Sequence, residues 1–199
     1  MADGRFYEQS VNGISLELGE GLIESIGRCR IEKCRISIRV GRYKPIIVNS
    51  DVIASTVRLI GTLRDTQSMM TANYVDCSFV GTFLGVDFGR LPGRPGYILE
   101  PGRYGDLINC DFTRARLEAC RIFDANLDGL LFGSWPQFRV TRASLVKAAS
   151  MNRNWPGKFS IYIKVGSESH PTVVARADDA RRVMRFAGIG ESELRECLD

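Results

Sequence analysis

The chain has 199 residues, of which 44% are hydrophobic and 25% charged, and its formal net charge is +4. These values are ordinary for a folded globular protein, so they exclude a disordered chain, and the length accommodates one domain with at most a small appendage. No stretch approaches the roughly 20 apolar residues that a bilayer requires, and the first residues lack the order of a secretory signal. We therefore expect a soluble, cytoplasmic protein without a membrane partner.

The first regular segment, residues 24–38, divides into units of five residues, ESIGR, CRIEK and CRISI, each with isoleucine at its centre. A basic run overlaps it, since residues 28–44 hold seven lysines and arginines against Glu32 alone. Such a run suits nucleic-acid phosphates, an acidic protein or plain solvation. Tyr43 is the single aromatic residue in this run that could stack on a base, so we do not expect nucleic acid to be the partner.

The five-residue pattern weakens and then returns in the next part of the chain. Residues 47–71 admit several frames, of which VRLIG around Leu59 is one. Residues 72–81 read clearly as ANYVD and CSFVG, with Tyr74 and Phe79 at the centres. The pattern therefore predicts one continuous architecture whose middle is irregular.

Prolines and glycines interrupt the pattern at about residues 87–104, and this composition predicts a loop. Ordered loops on rigid scaffolds often carry binding residues. Arg94, Tyr97 and Arg103 are therefore candidates for contact with a partner, and a neutral insertion is the alternative.

The longest regular segment, residues 105–134, consists of six units: GDLIN, CDFTR, ARLEA, CRIFD, ANLDG and LLFGS. The third residue of each unit is apolar, and the first is small or apolar. Neither a helix of period 3.6 nor a strand of period 2 produces a strict period of five, so we expect the chain to wind around an axis as a solenoid. The predicted structural core is Leu107, Cys110, Phe112, Ala115, Leu117, Cys120, Ile122, Ala125, Leu127 and Phe132.

These units resemble the pentapeptide-repeat family, whose pattern is A-(D/N)-L-x-x, most closely at Ala115-Arg116-Leu117 and Ala125-Asn126-Leu127. The resemblance implies a right-handed β-helix of square cross-section, with four units to a coil and with the first and central residues turned inward. We thus expect an all-β solenoid over residues 1–136, interrupted at about 87–104, and a small α/β cap over residues 137–199. The resemblance also implies that the following residues face solvent: Asp111, Arg114, Arg116, Glu118, Arg121, Phe123 and Asp124.

Most of the six cysteines share one place in the repeat. The inward first position of a unit is occupied by Cys29, Cys34, Cys77, Cys110 and Cys120. A reduced thiol behaves there as a small hydrophobe, so we expect buried free thiols rather than disulfides. No pair has C-x-x-C spacing and His170 is the only histidine, so no metal site is expected.

The repeat stops at Trp135-Pro136, and the rest of the chain has ordinary periodicities. Apolar residues alternate with more polar ones over residues 159–165, which predicts a half-buried strand. Residues 177–188 place apolar side chains on one helical face, with aspartates at the start and glycine after the end, which predicts a helix. A second short helix is expected over residues 192–198. We interpret the region as a cap over the last coil, with a partner-binding or dimerising element as the alternative.

A search for catalytic motifs finds no dinucleotide fingerprint, P-loop, H-x-x-x-H or G-x-S-x-G pattern. A cysteine could still meet His170 in space, because catalytic partners need only be close in the fold. The segment around His170, SESHPT, reads as a loop, and the repeat-region carboxylates read as a solvated face. We therefore predict a protein that is not an enzyme and holds no cofactor.

A rigid solenoid without catalytic motifs points to binding, and the resemblance extends to small bacterial members of the family that act as immunity proteins. We expect an antitoxin that neutralises a cognate toxin by direct contact, as a monomer or homodimer. The residues predicted to make the contact are Arg114, Arg116, Arg121 and Phe123 of the regular block, with Arg94, Tyr97 and Arg103 of the loop. The alternatives are a DNA-mimicking topoisomerase binder, which the basic charge disfavours, an enzyme with a site in the C-terminal region, and a self-assembling scaffold.

Overall fold

The computed structural model describes residues 5–42, 44–90, 104–151, 154–156, 158–168 and 172–198. In these ranges, short parallel strands stack into about five coils of a β-solenoid, and the α-helices lie near the C-terminus. The predicted fold class, an all-β solenoid followed by a small region with helices, is therefore confirmed.

The strands belong to four sheets in the part of the chain that the structure describes. In chain order they are β1 (Arg5–Tyr7), β2 (Ser10–Asn12), β3 (Ser15–Leu18), β4 (Ser25–Gly27), β5 (Arg30–Glu32), β6 (Arg35–Arg39), β7 (Ile46–Val48), β8 (Asp51–Ile53), β9 (Thr56–Arg64), β10 (Asn73–Val75), β11 (Ser78–Leu84), β12 (Asp87–Gly89), β13 (Leu107–Ile108), β14 (Asp111–Glu118), β15 (Cys120–Phe123), β16 (Leu131–Phe132), β17 (Gln137–Thr141) and β18 (Val173–Asp179). The sheet orders are β1-β4-β7, β13-β10-β8-β5-β2, β16-β14-β11-β9-β6-β3 and β12-β15-β18-β17.

Each coil takes about as many residues as four units of five. In the sheet that begins with β3, the registered residues Ser15, Arg35, Thr56 and Ser78 follow one another after 20, 21 and 22 residues. The next step, to Asp111, takes 33 residues, and the extra ones fall where the sequence predicts a loop. The break is shorter than expected, because β12 is a regular strand inside residues 87–104. Arg94, Tyr97 and Arg103 lie outside the described residues.

Left-handed backbone conformations close one corner of successive coils. The φ angles are 52°, 48°, 54° and 51° at Lys33, Ala54, Asp76 and Asn109. Each of these residues precedes a small buried one, namely Cys34, Ser55, Cys77 and Cys110. The chain therefore turns at an equivalent corner in each of these coils, and a small side chain fits inside the corner that the turn creates.

Serine in place of cysteine explains why residues 47–71 could not be divided into five-residue units from the sequence. Ser55 takes the inward place of a cysteine, and its hydroxyl accepts from the backbone N–H of Cys34 (3.0 Å) and donates to the carbonyl of Ile53 (2.8 Å). The inward central residues of this coil are Ile47, Val52 and Val57, which register with the isoleucines of the coil before. The frame VRLIG around Leu59 is therefore wrong as a unit, although Leu59 is buried.

Stacked aromatic rings fill the later part of the core. Phe79 and Phe112 lie parallel with ring centroids 4.6 Å apart, and Phe132 continues the stack at 5.7 Å. The predicted core is confirmed from Leu107 to Ile122, whereas Ala125, Leu127 and Phe132 are only partly buried against it. These residues belong to the last coil, which has no further coil beyond it, and Leu127 begins a short 3-10 helix, Leu127–Gly129. Another 3-10 helix, Ser68–Met70, lies between β9 and β10.

The C-terminal region contains α1 (Arg142–Ser150), α2 (Phe159–Glu168), α3 (Ala180–Ala187) and α4 (Glu191–Leu198). The strand predicted over residues 159–165 is wrong, because this segment is helix α2. Its buried residues follow helical spacing, namely Phe159, Tyr162, Ile163 and Gly166. The alternation in the sequence was misleading because two of its apolar residues, Ile161 and Val165, are exposed on the helix, whereas a strand would have buried them.

The predicted helix at residues 177–188 is confirmed from Ala180 onward. Asp179 caps its N-terminus by accepting from the backbone N–H of Arg181, and Gly188 ends it with φ of 69°. The preceding residues belong to β18, which pairs antiparallel with β15 of the solenoid. The second helix is confirmed as α4. The C-terminal region is thus joined to the solenoid by a continuous sheet, which leaves β15 no open edge on that side.

Candidate functional site

The basic run of residues 28–44 does not form one patch. Because a coil takes about 20 residues, the run nearly encircles the column, with Arg30 on β5 and Arg39 on β6. Two of its arginines pair with glutamates one coil away, Arg28 with Glu8 (3.1 Å) and Arg39 with Glu17 (3.4 Å). A continuous surface on this fold is therefore made by residues about one coil apart, and not by neighbours in the sequence.

Three exposed arginines define such a surface, which we name the arginine face: Arg35 on β6, Arg58 on β9 and Arg114 on β14. Strand register places Arg58 beside Ser37 of β6 and, through Val80, in line with Arg114. Adjacent strands lie about 4.8 Å apart, so the backbones of Arg58 and Arg114 are separated by roughly 10 Å. Within the described residues, no carboxylate forms an ion pair with any of the three.

The structure separates the residues that the sequence grouped as a contact surface. Arg114 belongs to the arginine face, but Arg116 lies 2.7 Å from Glu118 and 3.8 Å from Asp179 of the C-terminal region. Arg121 donates two hydrogen bonds of 2.8 Å to the two carboxylate oxygens of Asp87. Arg116 therefore connects the solenoid to the C-terminal region, and Arg121 connects β15 to β12, in addition to any role in binding.

The prediction that Phe123 faces solvent is wrong. Its side chain is 2% exposed and packs with Met70 and Val173, while the guanidinium of Arg121 lies 5.4 Å from its ring centre. Ile122 belongs to the solenoid core, so alternation does turn Phe123 outward from that core. The added strand β18 then covers it, which the repeat pattern could not reveal.

Buried aspartates line the junction between the solenoid and the C-terminal region. Asp87, Asp178 and Asp179 are almost inaccessible to solvent, and each pairs with an arginine. Burial raises the pKa of Asp179, but hydrogen bonds from Arg181 and the charges of Arg181 and Arg116 outweigh burial, so the pKa is lowered. Asp179 is therefore held as an anion by arginines, and the ion pairs of all three aspartates stabilise the junction.

The cysteines described by the structure are free and buried: Cys29, Cys34, Cys77, Cys110 and Cys120. Burial raises the pKa of Cys110 and of Cys120 to about 12. A thiol with such a pKa is protonated at neutral pH and is a poor nucleophile or metal ligand. In the described part of the chain no group of acidic, cysteine and histidine residues is arranged to hold a metal ion, and His170 lies outside that part.

A groove runs along α2, and the sequence did not indicate it. Its first part is a cavity of about 170 Å³ lined by Ile161, Val165 and Phe186 among others. Its second part is a more open cavity of about 520 Å³ where Val165 and Arg176 meet Arg121 of the solenoid. We name these five residues the α2 groove. It was missed because residues 159–165 were assigned to a strand and because β18 brings Arg176 opposite Arg121.

No family model, curated protein or solved structure matches the chain. The fold itself is a parallel-strand β-solenoid of about five coils, which is compatible with a pentapeptide-repeat β-helix. None of the helices in the described residues combines the length and the apolar character needed to cross a membrane.

Proposed function

We propose that this chain is a pentapeptide-repeat protein that binds an acidic protein partner without catalysis, and that the partner is a cognate bacterial toxin neutralised in the cytoplasm. The arginine face is the observation that carries this proposal. Arg35, Arg58 and Arg114 project from a stacked sheet whose geometry is fixed before binding, so little conformational entropy is lost in the backbone on association.

Arginine suits such a role because its guanidinium binds carboxylates through two parallel hydrogen bonds, and it is enriched among residues that dominate binding energy. The arginines outnumber the acidic residues close to the face, where Glu17 pairs with Arg39 and Asp111 accepts from the backbone N–H of Thr113 (2.8 Å). The face therefore presents net positive charge, which attracts an acidic surface and sets the orientation of encounter.

The same observation weighs against a DNA mimic that binds a topoisomerase. Such a mimic needs an acidic column, whereas Arg58 and Arg114 keep one long sheet of this column basic. Nucleic acid itself would be attracted by the charge, but β9 and β14 carry no exposed aromatic residue that could stack on a base.

The test begins with affinity purification of the tagged chain from its native host, after nuclease treatment, with mass spectrometry of stoichiometric partners. The recovered partner is then expressed alone and together with the chain. Growth arrest by the partner alone, relieved by the chain, is the expected result. A partner that is lost on nuclease treatment, or that is a topoisomerase subunit, would overturn the proposal.

Charge reversal then locates the interaction. Arg58→Glu and Arg114→Glu should each weaken binding of the purified partner by about tenfold or more, because each replaces an attraction with a repulsion. Arg5→Glu is the matched control, since Arg5 is exposed on β1 of a different sheet and the change in net charge is the same. Equal losses in all three variants would mean that the arginine face is not the contact surface.

A further inference from the structure

We infer that the α2 groove is a second protein-binding surface, and that its occupant is an acidic amphipathic helix of a partner protein. This inference is independent of the function proposed for the arginine face, because the two surfaces lie on different elements. It depends on three observations: apolar side chains of α2 and α3 are exposed, two neighbouring cavities share Val165 and Arg176 in their lining, and Arg176 has no ion pair among the described residues.

The apolar part of the groove is a cluster of exposed large side chains, not a single exposed residue. Ile161, Val165 and Phe186 are 52%, 54% and 46% exposed, and all three line one cavity. Ile161 and Val165 are one turn apart on α2, while the opposite side of the helix is fully used in the C-terminal core. A strip of this kind matches the spacing by which an amphipathic helix inserts its own apolar residues into a groove.

The end of the groove that faces the solenoid contains an arginine without an ion pair. Arg121 is bound by Asp87, but Arg176 has no ion pair among the described residues, and its Nε is buried without a hydrogen-bond acceptor. The guanidinium of Arg176 lies 5.6 Å from the ring centre of Tyr162, which holds it in place. Arg176 is partly exposed and lines both cavities, so a carboxylate from a partner can pair with the part of its guanidinium that faces them.

Cations also border the apolar part. Lys158 lies 5.8 Å from the ring centre of Phe186, and Arg182 lines the same cavity while it is paired with Asp178. Asp65 and Glu168 are the acidic residues that line the open end. The apolar strip is therefore basic along its length and mixed at its end, so an occupant with acidic residues beside its apolar stripe is complementary to it.

The probe for the test is a synthetic peptide of about 16 residues, long enough to form a helix, with leucines at helical spacing and glutamates on the flanks. It is titrated into the isotopically labelled full chain, and backbone and methyl chemical shifts are recorded. We expect saturable shifts confined to α2, α3 and β18. A peptide with lysine in place of glutamate, or with alanine in place of leucine, should bind about tenfold more weakly or not at all.

Two variants test the two parts of the groove separately. Val165→Glu places an acid in the apolar strip, and Arg176→Gln removes the cation while keeping most of the side-chain length; each should weaken the peptide about tenfold. Val146→Glu, on α1, is the matched control because Val146 is also an exposed valine on a helix, and it should leave affinity unchanged. Thermal unfolding of each variant verifies that the chain is folded.

Several outcomes would overturn the inference. If no chemical shifts change, the peptide does not bind and the inference is wrong. If the lysine peptide causes the same shifts, charge complementarity does not determine the occupant. Concentration-dependent shifts at the groove without peptide would assign it to a second copy of this chain. Binding to anionic vesicles that Val165→Glu abolishes, without peptide binding, would assign it to a lipid surface. None of these results tests the arginine face, so the two proposals can be supported or refuted independently.

Discussion

Replacement of Arg121 should destabilise the fold more than replacement of its partner Asp87, although both changes break the same ion pair. The side chain of Asp87 is 3% exposed, whereas that of Arg121 is 41% exposed. Arg121→Met leaves a buried carboxylate with Gln67 as its remaining described side-chain partner, at 3.2 Å. Removing one partner of a buried pair costs about 3 to 5 kcal/mol, because the charge that remains is uncompensated.

Asp87→Asn leaves the exposed member of the pair instead, and water can hydrate the guanidinium of Arg121. Two charge-assisted hydrogen bonds are weakened, with a loss of about 1.5 kcal/mol. With a urea m-value of about 2 kcal/mol/M, the midpoint should fall by about 1.5 to 2.5 M for Arg121→Met and by about 0.75 M for Asp87→Asn. Urea unfolding followed by circular dichroism measures both.

The double variant Asp87→Asn/Arg121→Met decides whether the buried charge is the cause. Without the carboxylate charge, the substituted methionine side chain no longer faces an unpaired anion, so the double variant should be more stable than Arg121→Met alone. If the double variant is as unstable as Arg121→Met, or if Asp87→Asn is the worse single change, the reasoning from burial is refuted.

Three further predictions concern the coils. Burial raises the pKa of Cys110 to about 12, so at pH 8 its thiol should resist iodoacetamide until denaturant opens the solenoid; labelling in the native state, detected by mass spectrometry, would contradict this. Gly81→Ala should cost about 3 kcal/mol, because φ is +118° and the new Cβ would lie 2.8 Å from the Cβ of Leu59; an unchanged urea midpoint would contradict the strain. Ala54→Asn should raise stability by about 0.5 kcal/mol, since asparagine tolerates the left-handed conformation better and Asn109 already takes the equivalent corner with φ of 51°; a lower thermal midpoint would contradict it.

The central residues of the repeat could be predicted from the sequence because a solenoid buries them by local spacing alone. Tyr74, Phe79 and Phe112 are inward in the structure, as the period of five indicates. The frame failed at residues 47–57 because Ser50 and Ser55 replace cysteine, and serine at such a position is normally a sign of a loop. Their hydroxyls bond the backbone inside the corner, a compensation that only the fold provides.

The candidate surfaces were less predictable, because they depend on partners far apart in the sequence. Arg58 joins Arg114 through strand register, not through any local pattern. Phe123 has an outward position in its unit, yet β18 buries it. The short segment around Ile161 fits a strand and a helix equally well by periodicity, and only its tertiary contacts make it helical. Arg35 and Arg58 are about one coil apart, which is a sequence signal once the coil length is known. Arg114 lies two strands beyond Arg58, across the longest step between registered strands of that sheet, so its membership could not be read from the spacing.

The way in which β18 joins the solenoid determines how the two surfaces can be tested. The arginine face lies on β6, β9 and β14, so it does not require the C-terminal region, whereas the α2 groove needs both parts. Deleting the C-terminal region would nevertheless not separate them cleanly. Without β18, the edge of β15 and the side chain of Phe123 would be exposed, and such an edge invites pairing with other chains. A cut at Gly166 would also fall inside α2. Point substitutions of exposed residues, Arg58 on one surface and Val165 on the other, are therefore the perturbations that we expect to leave the fold intact while they test the two proposed binding surfaces separately.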